Sequence, residues 1–265
     1  MRDMDYSVLL KIASEAAVKA GHFLLRSSKV DRSVHFESKH DVKIKADKQS
    51  EKIIWDILEK QSGLPILSEE TSLPVTSSAP LRWIVDPIDG TLNFQRQIPL
   101  CCISIGLWRG ADPVLGVIYD FFRSELFSSI VSQGAWLNSS PIRVSWTTTK
   151  EKAILFSGFP AGADLSSGQL SSMLKAIQSY RKVRWIGSAA LSLAYVACGR
   201  ADAYHERDIM FWDVTGGIPI VLGAGGNCLY QKNKQAHSYD VFAANESLFF
   251  SQRNTVKRKT AFPAA

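Results

Sequence analysis

Between residues 5 and 27 the apolar side chains Leu9, Ile12, Ala16, Phe23 and Leu24 recur at about helical spacing, which predicts an amphipathic helix. Residues 32–45 show no such period; polar and lysine-rich, they read as a connection. The run DKQSEKIIWDILEK then sets Ile53, Ile54, Ile57 and Leu58 on one face of a second helix. A short strand over 64–67 and a Ser/Thr/Pro-rich loop over 71–80 follow. Residues 82–86 form an apolar run that predicts a buried strand. Further strand-like runs at 101–108, 113–119 and 125–130, separated by short turns, predict an antiparallel meander. Beyond Lys150 the pattern alternates. Strands at 153–157, 182–186, 201–206, 228–230 and 239–243 interleave with helices at about 168–180, 188–198 and 212–223. No internal repeat or low-complexity linker interrupts the chain. The order implies a layered α/β architecture in a single domain over 1–250. Its N-terminal lobe, about 1–145, holds the antiparallel sheet, and its C-terminal lobe, about 146–250, holds the α/β alternation.

Composition agrees with this picture. Of 265 residues, 46% are hydrophobic and 21% charged, enough apolar material for a core without disulfides or a structural metal. A membrane span is not expected. The uncharged run 214–231 holds five glycines and a proline, and the run 185–199 falls short of the roughly 20 residues a spanning helix needs. The N-terminal segment MRDMDYSVLLKIASE carries two Asp and a Glu and lacks a small-residue cleavage site, so it does not read as a secretory signal. The four cysteines (101, 102, 198 and 228) form no C-x-x-C pair and lie among apolar residues, as expected of free thiols in a reducing cytoplasm. The five histidines (22, 35, 40, 205 and 237) show no metal-binding spacing.

The net charge of +6 hints at an anionic partner, but its distribution weakens the hint. Arg253, Lys257, Arg258 and Lys259 fall in the acid-free segment 251–265, which is expected to be a flexible tail; without them 27 basic residues face 25 acidic ones. No interleaving of aromatic and basic residues accompanies the charge, which argues against a nucleic-acid partner.

Several catalytic patterns are missing. There is no Gly-Lys pair of a Walker loop and no G-x-S-x-G. The run GAGGNC puts Cys228 where a dinucleotide fingerprint needs its third small residue, and it follows a helix rather than a strand. What remains is a set of carboxylates in unusual places. WIVDPIDGTLNF begins as an apolar strand and ends in Asp86 and Asp89, held close together by Pro-Ile. Gly90 permits close backbone approach, and residues 91–94 can open a helix whose first N–H groups suit a phosphate. Acids beside an anion site conflict electrostatically unless divalent cations intervene, and an all-oxygen donor set favours Mg²⁺ over Zn²⁺. Asp, Pro and Gly are also ordinary turn residues.

Four further acidic residues, in three segments, bear on the choice. ILSEET places Glu69 and Glu70 directly after a strand, where two acids have no packing role unless they are simply solvated. FWDVTGG puts Asp213 at the start of an uncharged helix, and Asp47 precedes SEKII; helix N-capping accounts for either one alone. Together with the DPIDGT segment they form a constellation. Four carboxylates (Glu69, Asp86, Asp89 and Asp213) carry about the charge that two Mg²⁺ would balance, and such a pair can activate water and clamp a phosphoryl group in line.

With these motifs the sequence resembles the inositol monophosphatase family of metal-dependent, lithium-sensitive phosphomonoesterases, over about residues 6–245. DPIDGTLNF is similar to the family's first motif and WDVTGGIPIVLGAGG to its second, with Thr215 where Ala is usual. ILSEE, SIGL at 104–107, LGVIYD at 115–120 and GSAALSLAYVACGRADAYHE at 187–206 add to the match. Ile44 departs from it, standing where Thr is usual three residues before Asp47. The resemblance implies an αβαβα sandwich, shared with the fructose-1,6-bisphosphatase fold, and a homodimer. Glu69, Asp86 and the backbone carbonyl of Ile88 would hold a first Mg²⁺. Asp86, Asp89 and Asp213 would hold a second, and Glu69 with water a third, weaker ion. Asp47 would hydrogen-bond Thr91, whose hydroxyl would help position the attacking water, and the Gly90 and Thr91 N–H groups would bind phosphate. Asp89, Ser188, Ala189 and Glu206 would face the alcohol portion of a small phosphorylated polyol. Leu92-Asn93, where related nucleotide phosphatases tend to read DGTKEF, favours inositol monophosphate as the substrate. The same chemistry on a 3′(2′),5′-bisphosphate nucleotide, fructose 1,6-bisphosphate or histidinol phosphate, and a non-catalytic regulatory protein on this scaffold, are the alternatives.

Overall fold

The computed structural model describes residues 5–26, 30–37, 42–71, 81–158, 171, 174–175, 177–234 and 237–251. Helix α1 (Tyr6–Arg26) buries Leu9, Ile12, Ala13, Ala16, Ala17, Ala20 and Leu24, the stripe its periodicity predicts. Helix α2 (Lys45–Ser62) buries Ile54 and Leu58 and ends at Gly63, whose left-handed φ of 61° lets its N–H reach back to the Glu59 carbonyl. The connection expected over 32–45 instead contains a small antiparallel hairpin, β1 (Val34–Glu37) with β2 (Val42–Ile44). All four residues of β1 are exposed, so there is no buried face to leave an alternating signal in the sequence.

The meander is a seven-stranded sheet: β3 (Ile66–Ser68), β4 (Leu81–Asp89), β5 (Cys102–Arg109), β6 (Asp112–Asp120), β7 (Glu125–Ile130), β8 (Gly134–Leu137) and β9 (Ser140–Pro141), in that spatial order. Only the β3–β4 pairing is parallel. Strand β4 runs past its predicted end at Asp86 as far as Asp89, with its ladder to β5 irregular between the two. The second sheet comprises β10 (Ile154–Ser157), β11 (Lys182–Arg184), β12 (Ala203–Met210), β13 (Asn227–Lys232) and β14 (Ser238–Ala244), in the order β11-β10-β12-β14-β13. Helices α3 (Thr91–Gln95), α4 (Ala189–Ala197), α5 (Phe211–Thr215) and α6 (Gly217–Gly223) and a 3₁₀ turn at Lys150–Lys152 lie between the strands. Of the helix expected at 168–180, residues 171, 174–175 and 177–178 are helical, while 168–170, 172–173 and 176 lie outside the described residues, as does the tail beyond 251.

The single helix expected over 212–223 is two. Pro219 has no N–H to bond the Thr215 carbonyl one turn earlier, and the Trp108 indole N–H takes that carbonyl at 3.0 Å. Strand alternation sorts the layers. Trp83, Val85, Ile103, Ile105, Leu115 and Val117 face α1 and α2, whereas Ile84, Cys102, Ile118 and Phe127 face α4, α5 and α6. Those middle helices also pack on Phe156, Tyr204, Val241 and Ala243 of the second sheet, whose far face sets Leu155, Ala203 and Phe242 against Tyr180 and Leu248. Residues 246–251 are helical on that side, so the layering is αβαβα.

Two glycines let the middle layer settle onto the first sheet. Gly106 and Gly116 are register partners; a Cβ would stand 2.4 Å from the Thr215 carbonyl oxygen on the former and 2.1 Å from that of Gly216 on the latter. Helix α5, which carries Asp213, therefore lies almost against the strand backbone.

Candidate active site

The site forms where β3 and β4 end side by side. Because β3 is parallel to β4 with Ser68 opposite Val85, the next residue, Glu69, comes level with Asp86, and its N–H donates to the Val85 carbonyl at 3.2 Å. Asp86 is buried, and one of its oxygens accepts the Ile88 N–H at 3.0 Å across Pro87. The Pro87 carbonyl is held by the Ser50 hydroxyl of α2 at 2.9 Å. From the opposite side α5 brings in Asp213. Glu69, Asp86 and Asp213 each offer a carboxylate oxygen, and these oxygens all lie within 4.8 Å of one another.

This arrangement is electrostatically frustrated. Burial, followed by the charges of Glu69 and Asp89, pushes the carboxyls of Asp86 and Asp213 well above the ordinary range. Among the described residues no lysine or arginine pairs with Asp86, Asp89 or Asp213. Like charges buried this close need a compensating cation, and an all-carboxylate oxygen set fits a hard divalent ion.

Asp89 lies outside that closest triad. It meets the N-terminus of α4, where its oxygens accept the Ser188 hydroxyl, the Ala190 N–H at 2.8 Å and the Ala189 N–H at 3.3 Å. These bonds favour the charged form, yet burial outweighs them and raises the group to about 6. Ser188 and Ala189, expected to face substrate, thus hold Asp89 in place.

Gly90 caps α3 at φ 90°, and a Cβ there would come within 3.0 Å of the Gly187 and Leu100 carbonyl oxygens. The Thr91 hydroxyl lies 3.0 Å from the Ile88 carbonyl oxygen and 3.3 Å from Asp47. With one proton, it donates to one of them at a time. Asp47 is not an N-cap. It sits in the first turn of α2, accepts the Ile44 N–H at 2.7 Å, and is raised to about 8 by burial, to which the charges of Glu70 and Glu69 add. Neither departure from the family pattern opens the site: Ile44 and Thr215 are both fully buried.

Glu206 stands on β12 with the Tyr204 hydroxyl donating to it at 2.8 Å, so its hydrogen-bond partner is Tyr204 rather than the neighbouring Arg207. Burial raises it to about 7 despite that bond. Gly158 passes so near that a Cβ would lie 2.0 Å from the Glu206 carboxylate. The sequence reading missed two contributors. Asn93 donates to the Leu100 carbonyl at 2.7 Å and to the Ile186 carbonyl at 2.8 Å, tying α3 to the segment before α4. Lys43 of the overlooked hairpin lies 3.5 Å from Glu69 and 2.8 Å from Glu70. Only the polar residue inside a tight motif hinted at the first, and nothing in the local pattern hinted at the second.

Residues 5–258 match the sequence model of the inositol monophosphatase family. The chain is 38% identical over 228 residues to an inositol-1-monophosphatase of Synechocystis, covering 84% of this chain and 78% of that one. It is likewise 38% identical to a Nus factor SuhB of Xylella fastidiosa, over 82% of this chain and 80% of the relative. The solved inositol monophosphatase of Anabaena superposes with a TM-score of 0.82 at 33% identity, covering 96% of this chain and 97% of that one. The extragenic suppressor protein SuhB of Bartonella henselae superposes with a TM-score of 0.83 at 31% identity, covering 96% and 99%.

Proposed function

The chain belongs to the inositol monophosphatase family and is a phosphoric monoester hydrolase, and from that premise we propose that it hydrolyses inositol monophosphate to inositol and phosphate with Mg²⁺ as its metal. The convergence of Glu69, Asp86 and Asp213 carries this reading: their carboxylate oxygens lie within 4.8 Å of one another, and among the described residues no lysine or arginine pairs with Asp86 or Asp213. Glu69, Asp86, Asp89, Asp213 and the Ile88 carbonyl would hold two ions, with Asp86 shared and a third, weaker ion on Glu69. Bound there, Mg²⁺ would neutralise the phosphate dianion and supply Lewis-acid activation.

The chain's own groups would do the rest. Thr91, backed by Asp47, would orient the attacking water and hold its proton at the Thr91–Asp47 pair. The Gly90 and Thr91 N–H groups, at the start of α3 where no earlier turn uses them, would bind phosphate oxygens. Asp89, Ser188 and Ala189 would shape the alcohol side, and Glu206 would accept hydrogen bonds from ring hydroxyls.

The names of the relatives support an inositol phosphate as the substrate. The relatives named as Nus factors support a second reading, a protein whose role on this scaffold is interaction. The intact carboxylate set favours catalysis. A homodimer is supported by the exposed apolar side chains Leu92, Ile98 and Trp185, which lie along the segments Asn93 ties together. The free thiols fit a reducing cytoplasm, and no described helix is long and apolar enough to cross a membrane. We place both lobes in one phosphatase domain over 1–250, sensitive to Li⁺. Phosphate release from inositol monophosphate, adenosine 3′,5′-bisphosphate, fructose 1,6-bisphosphate and histidinol phosphate, with and without Mg²⁺, tests the proposal. Turnover of inositol monophosphate should lead and should vanish in chelator; a clear preference for another ester would move the substrate, and metal-independent turnover would end the metal reading.

A further inference from the structure

Hairpin β1–β2 lays one cation against the acidic site. Alternation along β2 puts Ile44 into the core and turns Lys43 the other way, toward the residues that follow β3. The Lys43 ammonium stands 2.8 Å from an oxygen of Glu70 and 3.5 Å from an oxygen of Glu69. This is no loose surface pair, for the side chains of Lys43, Glu69 and Glu70 are 22%, 20% and 3% exposed. His35 of β1 adds a ring nitrogen 3.9 Å from the other oxygen of Glu70. Glu70 is therefore anchored by the hairpin, and Glu69 is shared: it belongs both to the Lys43 pair and to the triad with Asp86 and Asp213.

We propose that Lys43 is a tethered cation of the acidic site, a positioning residue that holds Glu69 when divalent metal is absent and competes with the metal for that carboxylate. The proposal rests on the metal-site reading above. A divalent ion that takes Glu69 as a ligand meets a fixed positive charge a few ångströms away and must displace or share it. Removing the charge should tighten that ion, whereas a purely structural lysine would, on removal, loosen the site and weaken it. At a separation of about 5 Å in a water-like dielectric, repulsion between a monovalent and a divalent cation corresponds to on the order of a tenfold change in affinity.

The test is Mg²⁺ binding by titration calorimetry to the full chain, wild type against Lys43→Met, Lys43→Gln and Lys43→Arg, paired with thermal melts in chelator. Both neutral variants should bind Mg²⁺ about tenfold tighter and melt lower in chelator, and Lys43→Arg should restore both properties. Combined with Glu69→Gln, the gain in affinity should disappear. Equal or weaker Mg²⁺ binding by folded neutral variants would overturn the role of Lys43 and leave the metal site standing. Failure of the wild-type chain itself to bind Mg²⁺ would remove the metal reading and this proposal with it.

Discussion

Ser188 and Asp89, 99 residues apart in sequence, are joined side chain to side chain. The Ser188 hydroxyl donates to Asp89 and accepts the Leu191 N–H at 3.2 Å. One residue thus caps α4 and pins a carboxylate at the end of β4, so its hydroxyl, beside the Ala189 and Ala190 N–H groups, joins the first sheet to the middle helical layer at the acidic site.

Ser188→Ala should cut both links. Loss of the cap alone costs about 1 kcal/mol, and loss of a hydrogen bond to a charged group roughly 1.5–3 kcal/mol. A fall in melting temperature with a drop in kcat and a rise in KM is expected, because Asp89 would serve both the metal and the alcohol side. Unchanged kcat would mean that the backbone N–H groups of Ala189 and Ala190 hold Asp89 by themselves.

Asp86→Asn separates catalysis from stability. The neutral side chain removes the central charge among Glu69, Asp89 and Asp213, so turnover should fall at least about a hundredfold. In chelator the same variant should melt higher than the wild type, since buried repulsion is relieved. Both halves are read by phosphate release and by melts with and without Mg²⁺. A variant that loses activity and also melts lower in chelator would show that Asp86 is needed for the fold.

Gly116→Ala probes the seat of Asp213. The added Cβ would lie 2.1 Å from the Gly216 carbonyl oxygen, which cannot give way without moving α5. Overpacking of this kind costs on the order of 1–3 kcal/mol, and displacement of Asp213 should weaken Mg²⁺ binding beyond what stability alone explains. Calorimetry on the folded variant decides it: wild-type affinity would disconnect the glycine from the site.

The legible parts of this molecule are those the core buries, on one face or on both. The stripe of α1 announces itself by helical period, and the runs of β4 and β5 by being apolar almost throughout, as burial on both faces requires. Hairpin β1–β2, exposed along β1, leaves no such trace, and with it Lys43 escapes notice. The split between α5 and α6 depends on a tertiary partner, the Trp108 indole, which no local pattern reveals. The acids that converge, Glu69, Asp86 and Asp213, stood out in the motifs, but the orientation of Asp89 did not. Asp89 resembles Asp86 in sequence context, and only the position of α4 shows that it is turned toward helix N–H groups rather than into the closest triad.

Glu206 offers a pH test and a selectivity test on one residue. Its carboxyl is raised from an ordinary 4.5 to about 7 by burial. The folded state thus holds a proton that the unfolded chain has released, so this group's contribution is fully present below pH 4.5 and is lost as pH rises through about 7. Gln mimics the protonated form and keeps an acceptor for Tyr204. The stability of Glu206→Gln relative to the wild type should therefore grow from near zero at about pH 5 to a plateau above about pH 7.5, of at most about 3 kcal/mol. In substrate choice Glu206→Leu isolates the acceptor function. Roughly 1.5–3 kcal/mol of charged hydrogen bonding should be lost on inositol monophosphate, about ten- to 150-fold in kcat/KM. Glycerol 2-phosphate, with fewer hydroxyls, should change little. Because Tyr204 already donates to one oxygen of Glu206, the other is the one left for substrate, which limits the loss to the lower part of that range for a single ring hydroxyl. An equal loss on both esters would make Glu206 a structural partner of Tyr204 and nothing more.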